Sequence, residues 1–129
     1  EAYGLFLEGE SDMVLSYTTS PAYHMIAEQK SQYHAAAFTE GHGLQIEVAA
    51  KLKSAPHPEL ADTFMAFILD DEFQSVIPTG NWMYPVTSVA LPDEFSQLVQ
   101  PTQSLMIEAE KVGTYKKAWL AEFNQGLSN

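Results

Sequence analysis

Ser16, Ser20, His24 and Asp12 crowd into one short stretch, and between them they hold the residue types of a nucleophile, a base and an orienting carboxylate. Their arrangement argues against hydrolysis. No G-x-S-x-G elbow is present, and closeness in sequence is not triad geometry. Capping hydroxyls beside a surface histidine describe these residues better. Metal ligation fares no better. His24, His34, His42 and His57 are scattered without the spacing of zinc motifs, and Asp70-Asp71-Glu72 lacks the EF-hand pattern. A solvated helix start explains that acidic run. Glu8 and Glu10 are a carboxylate pair that nothing marks apart from the other acids. Gly41-His42-Gly43 is too short for a phosphate-cradling loop.

The aromatic residues Tyr17, Tyr23, Trp82 and Tyr84 are a stronger signal. Tyr17 closes an apolar run at a turn into a helix, and in open α/β sheets ligands bind beyond the carboxyl ends of strands. Tyr23 lies just inside that helix. Trp82 and Tyr84 sit in Pro78-Thr79-Gly80-Asn81-Trp82-Met83-Tyr84-Pro85, whose prolines, glycine and asparagine define an irregular loop. Large apolar side chains on a loop either tuck into a core or line a site. Aromatic faces attract cations by ~0.5–2 kcal/mol each. Core packing stays open as the competing reading at this point.

The elements that must position these residues follow from pattern. Residues 2–8 are apolar enough for a buried helix or strand, and 8–12 form a turn. Met13–Tyr17 reads as a buried strand. Ser20 as cap and Pro21 at the first helical position predict a helix running to about Lys30. Leu44-Gln45-Ile46-Glu47-Val48 alternates strictly, which predicts a strand with one buried face. Pro58 opens a helix with Leu60, Phe64, Phe67 and Ile68 on one side. Asp70 or Asp71 starts a further short helix. Val112, Tyr115, Trp119 and Phe123 predict an amphipathic C-terminal helix, interrupted at Gly113 and stopped near Gly126. Strands alternating with helices indicate an α/β fold with helices packed on a mixed sheet. No repeat, low-complexity tract or linker is visible.

Composition narrows the partners. The 129 residues carry 6 Lys plus Arg against 17 Asp plus Glu, a formal net charge of −11. That argues against nucleic acid and anionic membrane surfaces, and favours a cation as ligand. With 46% hydrophobic and 18% charged residues the chain is globular in composition. It has no cysteine, which excludes disulfides, thiol catalysis and Cys-based zinc sites. Zero cysteine is compatible with an oxidising compartment. The start at Glu1, without Met or signal peptide, reads like the middle of a structured element, as expected of a cleaved product or a piece of a longer protein.

Two long motifs bring these threads together. Gly9-Glu10-Ser11-Asp12-Met13-Val14-Leu15-Ser16-Tyr17-Thr18-Thr19-Ser20-Pro21-Ala22-Tyr23-His24 and Ile77-Pro78-Thr79-Gly80-Asn81-Trp82-Met83-Tyr84-Pro85-Val86 resemble signature stretches of the bacterial periplasmic thiamine-binding proteins. Glu40-Gly41-His42 and Gln45–Ala50 resemble the same family. The resemblance spans essentially the whole chain and implies the C-terminal portion of a longer protein. It implies part of a two-lobed type II periplasmic-binding-protein clamshell. Residues 1 to about 43 and about 96 to 129 would lie in the second lobe, and about 44 to 95 in the first.

The resemblance also implies a function without catalysis. The chain would bind thiamine, or its phosphates, in the periplasm and deliver it to an ABC-type permease in the inner membrane. No cofactor or metal is implied. Tyr17 matches a tyrosine at the cleft edge, and Tyr23 and Trp82 match residues expected to stack on the ligand's two rings. Ser16, Thr18 and Ser20 could offer hydrogen bonds from the same turn, and Tyr84 belongs to the second aromatic motif. Groups that hold a phosphate would come from the other lobe, so the piece would need the rest of the protein, or a second copy of itself, to complete its core. Two alternatives stand beside this reading. One is a receptor for another small organic cation or a metal ion. The other is a small hydrolase using Ser20 and His24.

Overall fold

A computed structural model describes residues 2–128. Its elements are helix α1 (Ala2–Leu7), α2 (Ser20–Ala27), strand β1 (His42–Gly43), α3 (Pro58–Phe67), α4 (Asp71–Gln74), α5 (Ile77–Gly80), a 3-10 turn (Asp93–Gln97), strand β2 (Ser104–Leu105) and α6 (Ala109–Leu127). The chain divides into two compact units. The first holds the residues up to Ala37 and Glu47–Gln100, and the second holds Phe38–Ile46 and the residues from Pro101 onward.

In the first unit the prolines mark the helix starts as expected, but Thr19 rather than Ser20 is the cap of α2, without a side-chain cap bond, and the helix ends at Ala27 rather than near Lys30. Pro21 and Pro58 each occupy the first turn of their helix, where a missing N–H costs no hydrogen bond. Asp71 and Glu72 sit in the first turn of α4, favourable to its dipole. The core is small. Ala22 of α2, Phe95 of the 3-10 turn and Leu98 just after it are buried, with Met25, Ile26 and Trp82 packed against them. Gln74 anchors the irregular loop from beneath. Its buried amide donates to the Ile68 carbonyl at 2.6 Å and accepts from the Val86 N–H at 2.8 Å. One side chain thereby ties the end of α3 to the far end of the aromatic loop.

The second unit pairs β1 with β2 in parallel, His42 opposite Ser104 and Gly43 opposite Leu105. Gly41 precedes this pair at φ +99°, and a Cβ there would lie 2.6 Å from Gln103. Only glycine fits that close approach.

Three expectations are corrected. Met13–Tyr17 and Leu44–Val48 are not strands, and the only sheet among the described residues is the two-residue parallel pair rather than a mixed sheet under helices. A strand needs a hydrogen-bonded neighbour along its length; the 44–48 run has one only at its first residue, where the Leu44 N–H donates to the Leu105 carbonyl at 2.9 Å, and Met13–Tyr17 pairs with no strand among the described residues. Leu15 and Val48 stand 95% and 87% exposed, so their apolar character is unanswered. Ala2–Leu7 does form a helix, but none of α1 is buried. Gly113 does not interrupt α6, which runs unbroken to Leu127 and so stops next to Gly126 as expected. A glycine costs about 1 kcal/mol there, which the surrounding intrahelical bonds absorb.

Candidate functional site

The first unit holds a cleft of about 310 Å³. Tyr17, Tyr23 and Trp82 line it, joined by Tyr3 from α1. Thr19 and Ser20 contribute the turn at the start of α2, and Glu47, Asn81 and Met83 complete the wall. Tyr23 and Trp82 meet edge to face, centroids 5.3 Å apart at 84°, a contact that covers a face of only one of the two rings.

The placement of Trp82 has a backbone cause. Helix α5 ends at Asn81, whose N–H bonds the Ile77 carbonyl at 3.0 Å. Trp82 follows in the left-handed region at φ +55°. That position after a helix is the one glycine commonly takes. A bulky residue there carries strain of roughly 1–3 kcal/mol, and such strain clusters at ligand clamps.

No family model matches the sequence. The chain is 54% identical over 128 residues to the thiamine-binding periplasmic protein of Salmonella typhimurium, which covers 99% of this chain and 39% of that one. It is 48% identical over 125 residues to the thiamine-binding periplasmic protein of Brucella suis, covering 95% of this chain and 37% of that one. A solved structure of a periplasmic thiamin binding protein matches with TM-score 0.88 and 52% identity, over 99% of this chain and 40% of that one. The chain is a homologue of part of the thiamine-binding periplasmic proteins. It spans under two thirds of the curated relatives it matches, 39% in the Salmonella case, which fits the expectation of a portion of a longer protein. At that identity it shares the fold of the matched portion of the binding protein.

Of the residues expected at the site of such a binding protein, Tyr17, Ser20, Tyr23 and Trp82 line the cleft. Ser16 does not, but its hydroxyl pairs with that of Ser20 at 2.7 Å. Thr18 does not line the cleft; its buried neighbour Thr19, the cap residue of α2, takes that place in the wall. Tyr84 points elsewhere. Its ring meets Phe95 edge-on at 5.4 Å and its hydroxyl accepts from Gln100 at 3.2 Å. The sequence does not single out Tyr3, Glu47 or Asn81, and Met83 stands out only as one of the large apolar side chains of the irregular loop. Asn81 and Met83 flank Trp82 in its own motif, which is the signal that could have found them. Glu47 lies in the family-like stretch Gln45–Ala50, though nothing local marks it as a cleft residue, and Tyr3 carries no signal, since its neighbours in the cleft are distant in sequence.

His24 lies behind the cleft wall rather than in it. It is 1% exposed. Its Nε2 is 2.8 Å from the Tyr3 hydroxyl and its Nδ1 is 2.8 Å from Glu28 Oε2. With the phenol donating to Nε2, the imidazole carries its proton on Nδ1 and donates it to the carboxylate. Both ring nitrogens are thereby committed, and Ser20 finds its partner in Ser16 instead. Among the described residues no group of three or more His, Cys, Asp or Glu is placed to hold a metal ion. No helix among them is long and apolar enough to cross a membrane.

The charges around this histidine are coupled. Hydrogen bonds from His24 and from Lys30, whose Nζ is 3.1 Å away, hold the Glu28 carboxyl below its usual range. The same carboxylate raises Lys30. Burial, with Tyr33 and Glu28 nearby, raises the Tyr3 phenol. A carboxylate with a lowered value contributes stability that is complete above its ordinary value and lost as pH falls through the lowered one. Raised values on Lys30 and Tyr3 contribute stability that is lost only as pH rises beyond their ordinary alkaline values. Glu28→Gln is therefore expected to flatten the acid limb. Urea midpoints measured between about pH 5 and pH 3 should fall less steeply in the variant than in the parent. Parallel slopes would show that Glu28 carries no such linkage.

Proposed function

We propose that this chain is part of a periplasmic receptor that captures thiamine and hands it to an ABC-type permease in the inner membrane. One observation carries the reading. The cleft is walled by the same Tyr17, Tyr23 and Trp82 that the two family-like motifs contain, in a chain about half identical to proteins named for binding thiamine. Thiamine joins a cationic thiazolium to a flat aminopyrimidine. Aromatic faces serve both rings, and a net charge of −11 draws the cation from a distance. Capture and release break no bond, so the site needs no nucleophile or base.

The receptor would be the two-lobed type II clamshell, closing on ligand about a hinge. Residues 1 to about 43 and about 96 to 129 are assigned to the second lobe, and about 44 to 95 to the first. The unpartnered apolar residues Leu15, Val48, Leu60 and Phe64 favour a complete protein in which further chain, or a second copy of this one, covers them. Phosphate groups of phosphorylated thiamine would be held by residues outside this chain.

Calorimetric titration of the full natural chain with thiamine is the test. Saturable one-to-one binding is expected. A flat titration with thiamine, against saturation by a different organic cation, would overturn the thiamine reading while leaving a cation receptor. The same titration on the 129 residues alone asks whether the aromatic wall suffices unaided.

A further inference from the structure

Of the residues lining the aromatic cleft, Glu47 alone carries a formal charge. Its place is not accidental to the loop that carries Trp82. Asn81, the residue before Trp82, donates its Nδ2–H to Glu47 Oε2 at 3.1 Å across 34 residues of chain. The second hydrogen of that amide faces Met83 Sδ at 3.1 Å. Both donors of Asn81 are thus occupied, which fixes its orientation and leaves one oxygen of the Glu47 carboxylate without a partner among the described residues. Glu47 has no cationic partner there either: the ion pairs formed by lysine involve Glu28, Asp62 and Glu108. An aromatic cleft with one oriented, unneutralised carboxylate at its wall is chemically a site for a flat cation. The rings supply quadrupole attraction, and the carboxylate supplies a fixed counter-charge.

We propose that Glu47, steadied by Asn81, is the specificity-determining counter-charge of this cleft, selecting a cationic heteroaromatic ligand over neutral and anionic ones. This rests on the thiamine reading and extends it from ring stacking to charge selection. Asn81 is a positioning residue, acting through the carboxylate it holds.

The experiment compares full natural chain, Glu47→Gln and Glu72→Gln by titration with thiamine and with thiamine diphosphate, at about 20 mM and about 500 mM salt. Glu72 lies on α4, outside the cleft, and controls for the loss of one charge from the overall field. Glu47→Gln is expected to weaken thiamine about fivefold at low salt and less than about twofold at high salt, since screening removes a Coulombic contribution. Its loss for the anionic diphosphate should be smaller, so the ratio of the two affinities shifts towards the phosphate. Glu72→Gln should leave both affinities within about twofold. A salt-independent loss accompanied by a lower melting temperature would make Glu47 structural and overturn the proposal. So would equal losses in the two Gln variants, or none. If the parent binds no thiamine at either salt concentration, the thiamine reading itself falls and this inference with it. If the parent binds and Glu47→Gln binds equally well, only the inference falls.

Discussion

Trp82→Ala is expected to weaken thiamine binding at least tenfold, about 1.4 kcal/mol, in the full natural chain. Two contributions add. The indole face is worth up to ~2 kcal/mol to a cation. Tyr23, its ring centroid 5.3 Å from that of the indole, loses a partner that fixes its own ring plane. Folding should suffer less than binding, because Trp82 is only half-buried against the small core around Ala22, Phe95 and Leu98. Trp82→Gly separates ring from backbone. Glycine accepts φ +55° without strain, so this variant should melt no lower than Trp82→Ala and bind as poorly. Trp82→Phe keeps a smaller face and should fall between parent and Ala. Isothermal titration of the three variants decides. Affinity within twofold of the parent in Trp82→Ala would remove the indole from the ligand site.

The aromatic loop and the turn into α2 were legible because their signals are local. Proline at a helix start, glycine and asparagine in a loop, and aromatics where neither helix nor strand demands them need no knowledge of distant chain. Pro58 with Glu59 announced α3 in the same way. The strands were illegible for the opposite reason. Alternation along Leu44–Val48 records which faces differ in polarity, and it cannot say whether a neighbouring strand is present to pair. The runs at 13–17 and 44–48 stay outside the sheet and largely exposed, with the patterns of strands and, between them, a single strand-like bond, from Leu44 to Leu105.

The site shows the same division. Tyr17, Tyr23 and Trp82 stood out by residue type in a loop or at a turn. Glu47 read as the polar face of a presumed strand, and that alternation concealed its position beside Asn81. Tyr84, two residues beyond Trp82, looked equivalent to it. The left-handed turn at Trp82 sends the two rings to different places, one to the cleft and one onto Phe95. Pattern could not supply that reversal, since a tryptophan is an improbable occupant of such a backbone position.

His24→Ala is the substitution expected to cost the fold most, about 3 kcal/mol of unfolding free energy. The imidazole is buried among three tyrosines. Its centroid lies 4.2 Å from Tyr33, 5.2 Å from Tyr23 and 5.9 Å from Tyr3. Truncation opens a cavity at that junction and strips partners from the Tyr3 hydroxyl and Glu28 together. The phenol suffers more than the carboxylate, because Glu28 keeps Lys30 and some access to water. His24→Phe refills the ring volume without either nitrogen, so it should recover the packing share and lose only the bonds, about 1–2 kcal/mol below the parent. Urea unfolding of the full natural chain measures both. The order parent, Phe, Ala in midpoint is the expected result, and an Ala variant with the parent's midpoint would show that this junction is not a support of the fold. The consequence reaches the ligand, since Tyr3 and Tyr23 are both cleft walls and both rest on this one ring. Thiamine affinity in His24→Ala should therefore fall even where the variant is fully folded, and His24→Phe should restore more of it than of the acid-limb stability that Glu28 supplies.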